Sequence, residues 1–299
     1  MTDWPKISIV IPNYNGGETL GETLQSIVSQ NYPCLEIIVV DGGSSDNSVD
    51  VIKQYGKDVT WWVSEKDNGM YDAVNKGFTK ATGDIFAWIG SGDLYFPNAF
   101  RTVGDVMRSL PQVRWLTTLT PILLDFFGNS IAVCRPSGYS KLSFLDGRHL
   151  PGERGYTNVI MQESTFWRHD LWEQAGGSIS TEYSLCGDFD LWTIFFDIAD
   201  LHVIESPLAG FRCRSGQLST DIAEYVEQGR RILASMRTRN RWTRSWIRDA
   251  FSSYGLRLSD VFGFRKFMRL MLSYQSKQVI RENPGTEHGS WRIVTSGYL

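Results

Sequence analysis

LEIIVVDGGSSDNS, residues 35–48, starts as an apolar run interrupted only by Glu36 and ends in small polar residues. Apolar side chains at successive positions suit a strand buried on both faces, because a half-exposed strand would alternate. Asp41 closes the run, and GGSSDNS supplies a turn and capping residues for a helix through Val49 and Ile52. Upstream, KISIVIP (6–12) is a second such strand, followed by GGETLGETLQSIVSQ (16–30). In that segment Leu20, Leu24, Ile27 and Val28 share one helical face. Downstream come the strand TWWVSE (60–65), the helix MYDAVNKGFTKAT (70–82) and the strand DIFAWIG (84–90). Strands and helices alternating at this spacing predict an α/β fold, a mostly parallel Rossmann-like central sheet with helices on both faces.

Such sheets bind ligands beyond the carboxyl ends of their strands, near a topological switch point. The polar residues at those ends are Asn13, Tyr14 and Asn15, then Asp41, then Glu65, Asp67 and Asn68, then Ser91 and Asp93. The first turn, PNYNGGETL, has no G-x-G-x-x-G, and no strand leads into a P-loop, which disfavours a dehydrogenase or P-loop kinase. Tyr14 instead offers a flat face to a nucleobase, and Asp41 an acceptor for a ring N–H.

The 299 residues are 42% apolar and 21% charged, enough to bury a sizeable core. No run of about 18 uncharged apolar residues occurs, so no membrane span is expected. The start, MTDWPKISIVIP, enters a strand pattern without a signal-peptide arrangement, and Cys34, Cys134, Cys186 and Cys213 are widely scattered. Reduced thiols and a cytoplasmic location follow as expectations. The net charge of −3 conceals an asymmetry: residues 231–281 hold twelve Lys/Arg and two Asp/Glu, leaving 18 and 31 elsewhere. With Trp242, Trp246 and Phe251 among its aromatics, 231–299 reads as a basic, amphipathic, mainly helical C-terminal segment. It follows a 1–230 domain whose nucleotide-binding half is about 1–110 and acceptor-side half about 111–230. Such a segment can rest on the inner face of an anionic membrane or pack on an acidic partner domain. Nucleic acid is not an expected partner, since no recognition motif accompanies the charge.

From SIVIPNYN (8–15) through EIIVVDGGSSDNS (36–48), EKDNGMYDAVNKG (65–77), ATGDIFAWIGSGDLYFPNAF (81–100), QESTFWRHDLWEQAGG (162–177) and CGDFDLW (186–192), the chain resembles the family 2 glycosyltransferases. The likeness covers about residues 6–220 and is greatest to members that build bacterial surface polysaccharides. It implies the A-type nucleotide-sugar transferase fold. It also implies transfer, with inversion, from a nucleoside diphosphate donor, commonly UDP-linked, to a glycan or lipid-linked acceptor. By the same resemblance Pro12, Tyr14 and Asp41 hold the nucleoside. Asp67, Asn75 and Ser91 line the donor, Asp188 is the general base, and Asp93 ligates Mg²⁺ or Mn²⁺.

Two departures from the family pattern concern the leaving group. Where the family commonly has an acid, a spacer and two acids, GSGD (90–93) keeps only Asp93, and Arg214 stands where the family often has His. An arginine grips phosphate oxygens through two parallel hydrogen bonds, so the departures can be linked, with a side-chain cation partly replacing tight metal coordination. The glycines at 90, 92 and 187 leave open a degenerate, non-catalytic nucleotide-sugar-binding subunit. A nucleotidyltransferase is the weaker alternative, because PNYNGGETL lacks a cation to grip a triphosphate. Gln162, Glu163 and His169 are polar on the acceptor side, and Trp167 and Trp192 read as core residues before sugar platforms.

Overall fold

In the computed structural model, which describes residues 4–214, 217, 221–243, 273–283, 285 and 289–298, the opening segment forms β2 (Leu35–Asp41), as expected. It lies parallel to β1 (Ile7–Asn13), with Ile9 opposite Ile37 and Asn13 opposite Asp41. On its other edge β2 carries β3 (Trp61–Ser64), also parallel, while β4 (Ile85–Trp88) pairs with the far edge of β1. The chain thus moves outward on one side of β1 and returns on the other, which creates the switch point. The intervening helices are α1 (Gly17–Val28), α2 (Ser48–Gln54) and α3 (Met70–Phe78).

After β5 (Leu94–Tyr95) and α4 (Ala99–Ser109) come β6 (Trp115–Thr118), β7 (Ile122–Leu124), β8 (Ser130–Val133) and α5 (Lys141–Leu145). Then follow a 3₁₀ turn (Gln162–Ser164), β9 (Phe166–Arg168), α6 (His169–Gln174), α7 (Gly187–Ile198), β10 (Leu201–Ile204) and β11 (Ala209–Arg212). The last elements are α8 (Ile222–Arg239), β12 (Tyr274–Arg281) and β13 (Trp291–Tyr298). The main sheet has the order β13-β12-β10-β6-β9-β4-β1-β2-β3, and a smaller sheet the order β5-β11-β7-β8. In the main sheet only β9 and β13 run against the rest.

Each face of this sheet is covered, and successive residues of β1 show how. Ile7, Ile9 and Ile11 pack with Leu20, Leu24 and Ile27 of α1 and with Phe100 and Val103 of α4. Val10 points the other way, to a cluster with Val74 and Phe78 of α3 and Trp192 and Phe195 of α7. Trp167 is fully buried in that cluster, and Trp88 and Trp192 stack with centroids 6.1 Å apart. Both tryptophans are therefore core residues, as expected. His169 stacks on Phe86 at 4.6 Å beside the start of α6.

The C-terminal expectation needs correction. The boundary at 230 falls inside α8, and the described residues after 272 form two strands rather than helix. β12 joins the main sheet against β10, with Val203 opposite Gln278, so this part is built into the domain. Composition pointed to charge, but burial holds β12 in the domain: Tyr274, Ser276 and Val279 are buried, Val279 with Ile204 and Leu208. Two cations of α8 pair at the surface with acids of the domain, Arg230 with Glu153 at 3.0 Å and Arg239 with Asp197 at 3.3 Å. Of the 231–281 stretch expected to face a membrane, residues 244–272 lie outside the described residues. Among those described, no helix is long and apolar enough to cross a membrane.

Val279→Ala should therefore cost about 2 kcal/mol of the whole domain's stability in a single cooperative denaturant transition. A separate early transition, or no change, would mean the hairpin is only appended.

Candidate functional site

The carboxyl ends of β1, β2 and β3 are tied together by Asp41, which is fully buried. Its Oδ1 accepts from Asn13 Nδ2 at 2.6 Å and from Ser44 Oγ at 2.5 Å. Its Oδ2 accepts from the Ser44 amide at 3.0 Å and from Ser64 Oγ at 2.6 Å. Burial works to raise this carboxyl, yet the donors of Ser44, Ser64 and Asn13 hold it below the ordinary range. Asp41 was expected to meet a ring N–H. In this structure its oxygens are committed to the protein, and the open acceptor beside it is Asn13 Oδ1, buried and without a donor. The sequence placed Asn13 on the rim but not among the binding residues.

Around this knot the remaining rim residues come together. Tyr14 is 69% exposed, its ring free to receive a flat ligand, and Pro12 lies buried beneath it at the end of β1. Ser91 is linked back to α1 by its carbonyl, which accepts from Thr19 Oγ1 at 2.8 Å. Asp67 reaches over the end of β2: a Cβ built on Gly42 would fall 2.6 Å from its Oδ2. Asn75 differs from expectation. Its amide clamps the backbone of Ile179 in both directions at 2.8 Å, which commits it to holding the 179 loop on α3.

Beyond β4, Asp93 is also buried, and its Oδ1 accepts from the Arg212 amide at 2.8 Å. Thr23 Oγ1 holds its carbonyl at 2.9 Å. Burial raises the carboxyls of both Asp93 and Glu163, and the Asp93 charge raises Glu163 further. Glu163 sits in the 3₁₀ turn, with Oε1 buried and unpartnered. Neighbouring Gln162 caps β4 by donating to the Trp88 carbonyl at 2.6 Å. Arg212 is buried, pairing with Glu22 and donating from Nη1 to the Phe126 carbonyl at 2.6 Å.

A divalent ion would find few protein ligands here. Among the described residues no three His, Cys, Asp or Glu side chains gather as a metal cage. Asp93 Oδ2 has no protein donor among the described residues and is open to an ion. The donor set fits a cation held chiefly by a ligand's phosphates, with one carboxylate added. It does not fit a pre-formed metal centre.

Asp188 stands in the first turn of α7. Burial raises its carboxyl to about 6, against the pull of the helix-start amides and of Tyr71. The Tyr71 hydroxyl donates toward Asp188 Oδ1 at 3.3 Å and to the Leu185 carbonyl at 3.1 Å. Tyr71 also explains Gly187, one of the glycines that left a degenerate subunit open. A Cβ there would lie 2.8 Å from the tyrosine ring, so the ring excludes any side chain. Glu163 feels the charges of both Asp93 and Asp188, which puts the three carboxyls in one neighbourhood. Tyr71 was not singled out from sequence, although it lies in a quoted motif, and Glu163 was read only as a polar residue of the acceptor side.

Residues 8–112 match the family model described as Glycosyl transferase family 2. An uncharacterized glycosyltransferase of Rickettsia conorii is 30% identical over 227 residues, covering 74% of this chain and 36% of that protein. One from Mycobacterium tuberculosis is 35% identical over 178 residues, covering 59% of this chain and 64% of that protein. The chain thus spans about a third of the length of the Rickettsia relative. Among solved structures, S. aureus TarS 1–349 in complex with UDP shares the fold at a TM-score of 0.58 and 14% identity, covering 89% and 75% of the two chains. The mannosyltransferase PcManGT of Pyrobaculum calidifontis, in complex with GDP-Man and Mn²⁺, does so at 0.53 and 16%, covering 89% and 84%.

If Asp41 is the knot of the rim, Asp41→Ala should cost about 2–4 kcal/mol in chemical denaturation at pH 7. A carboxyl depressed in the folded state contributes fully above its unfolded value. That contribution is lost as pH falls through the folded one, so the gap to wild type should close below about pH 4. A gap independent of pH would contradict this.

Proposed function

The chain belongs to glycosyl transferase family 2, and on that premise we propose that it is an inverting transferase of sugars from a nucleoside diphosphate donor, with UDP-sugars the first candidates. The observation that carries this reading is Asp188, a carboxylate poised near neutrality in the same neighbourhood as the rim acids. A general base needs a proton affinity close to the working pH. Asp188 has it, along with partial exposure at a helix start.

In this reading the base stacks on Tyr14 and hydrogen-bonds toward Asn13, within a rim shaped by Pro12 and Asp41. Asp67 and Ser91 flank the ribose and diphosphate. An acceptor hydroxyl attacks the anomeric carbon as the bond from that carbon to the diphosphate oxygen breaks. The electron pair leaves on the diphosphate, and the hydroxyl proton passes to Asp188. Tyr71 orients that carboxylate. Mg²⁺ or Mn²⁺, held by Asp93 once the donor is bound, would supply charge to the departing diphosphate. The presence of Mn²⁺ with GDP-Man in PcManGT supports that assignment by analogy of fold. The acceptor is proposed to be a glycan or a lipid-linked saccharide of the cell envelope.

A non-catalytic binding subunit is the competing reading, and glycines at 90, 92 and 187 were its basis. At 92 and 187 the space of a side chain is taken by Arg214 and Tyr71, which weakens the case for decay, whereas at Gly90 a Cβ would meet Asp93 Oδ2 at 3.1 Å.

Asp188→Asn should leave donor affinity within about twofold and slow transfer by about 10² or more. Because the base acts only when ionised, wild-type kcat/KM should rise from acid to neutral pH with a midpoint of about 6. Transfer by the Asn variant at the wild-type rate would overturn the assignment. Donor-hydrolysis and transfer assays across UDP- and GDP-sugars, with a membrane lipid fraction as acceptor source, provide both readouts.

A further inference from the structure

Arg214 and Gly92 occupy each other's space. A Cβ built on Gly92 would lie 2.9 Å from Arg214 Cζ, 3.0 Å from Nη2 and 3.1 Å from Nε. Any side chain at 92 must therefore displace the guanidinium. The arginine is positioned rather than loose: its amide donates to Gln217 Oε1 at 2.7 Å, and Gln217 Nε2 donates to the Arg212 carbonyl at 2.5 Å. From the tip, Nη1 donates to Thr19 Oγ1 at 3.2 Å, and the same hydroxyl holds the Ser91 carbonyl.

What remains is the Nε–Nη2 edge. Nε is buried with no acceptor, and Nη2 has none among the described residues. These two N–H groups are the pair that grips two anionic oxygens in parallel. Nor does a carboxylate among the described residues lie within ion-pair distance of Arg214. Arg212, two residues earlier, is by contrast neutralised by Glu22. An oriented, uncompensated guanidinium edge thus stands beside the Ser91–Asp93 turn. Acids at 90 and 92 would have made this turn negative.

We infer that Arg214 is the cation that receives the diphosphate of the donor, and that residue 92 is glycine because the guanidinium takes the space an acid would need there. This rests on the nucleotide-sugar reading above and deepens it. The nucleoside diphosphate is bound without a divalent ion, and Asp93 adds an ion only afterwards. An acid at 92 does not restore a metal site, because it pairs with or expels Arg214.

Titration calorimetry in excess EDTA with UDP, GDP and UMP tests this on wild type, Arg214→Ala, Arg214→Lys and Gly92→Asp, with melting temperatures recorded for each. Wild type should bind UDP or GDP in chelator. Arg214→Ala and Gly92→Asp should weaken that binding at least about tenfold, Arg214→Lys less, while UMP affinity changes little. Equal weakening of UDP and UMP would point to a distorted pocket and overturn the inference. So would undiminished UDP binding by Arg214→Ala, or wild-type binding of UDP only when Mn²⁺ is present; either result leaves the donor reading intact. Failure of wild type to bind any of these nucleotides, with or without Mn²⁺, would overturn both.

Discussion

A single buried carboxylate, Asp41, fixes the edge on which the rest of the site is assembled. It ends β2 and takes Asn13 at the end of β1, Ser64 at the end of β3 and Ser44 in the following turn. Three parallel strands end together because one charge needs all their donors. An ionised group without water is costly unless each lone pair is met, so the arrangement is over-determined. Tyr14 and Asp67 inherit their positions from this edge, and Ser91 and Asp93 are drawn to it through Thr19 and Thr23 of α1.

The first four strands and three helices were legible because their burial follows simple periods. β2 matched its sequence boundaries, and β1 and β4 were displaced by only a residue or two. The later elements were less legible. β9 is a short antiparallel insert whose place between β4 and β6 depends on long-range pairing, which no local pattern encodes. β12 carries lysine, arginine and glutamine among its apolar residues, and its burial follows no strict period, so its charge masked the strand. Composition is a guide to solvent and partners, and a poor one to whether a charged segment joins a sheet.

The candidate site was legible in its acids and not in its glycines. The residue types at Asp41, Asp93 and Asp188 could be read because a carboxylate at a strand end or helix start has few uses. Whether Asp41 bonds a ligand or its own fold could not be read, because that depends on donors from three other segments. The glycines at 92 and 187 looked like losses. Each proves to be a place taken by a larger side chain, Arg214 at one and Tyr71 at the other. A sequence records the missing atom, while the occupant comes from 122 residues downstream in one case and 116 upstream in the other. Asn75 was misjudged for a related reason: its amide answers the Ile179 backbone, a partner from a distant loop.

The central claim is that this rim holds a nucleoside diphosphate sugar with its anomeric carbon presented to Asp188. A crystal structure with an intact, non-transferable UDP- or GDP-sugar analogue measures this directly. The account predicts the base on Tyr14, the diphosphate between Arg214 and Asp93, and the Asp188 carboxylate on the sugar face opposite the departing oxygen. A nucleotide bound away from the ends of β1 and β2, or Asp188 on the same face as the leaving group, would contradict it.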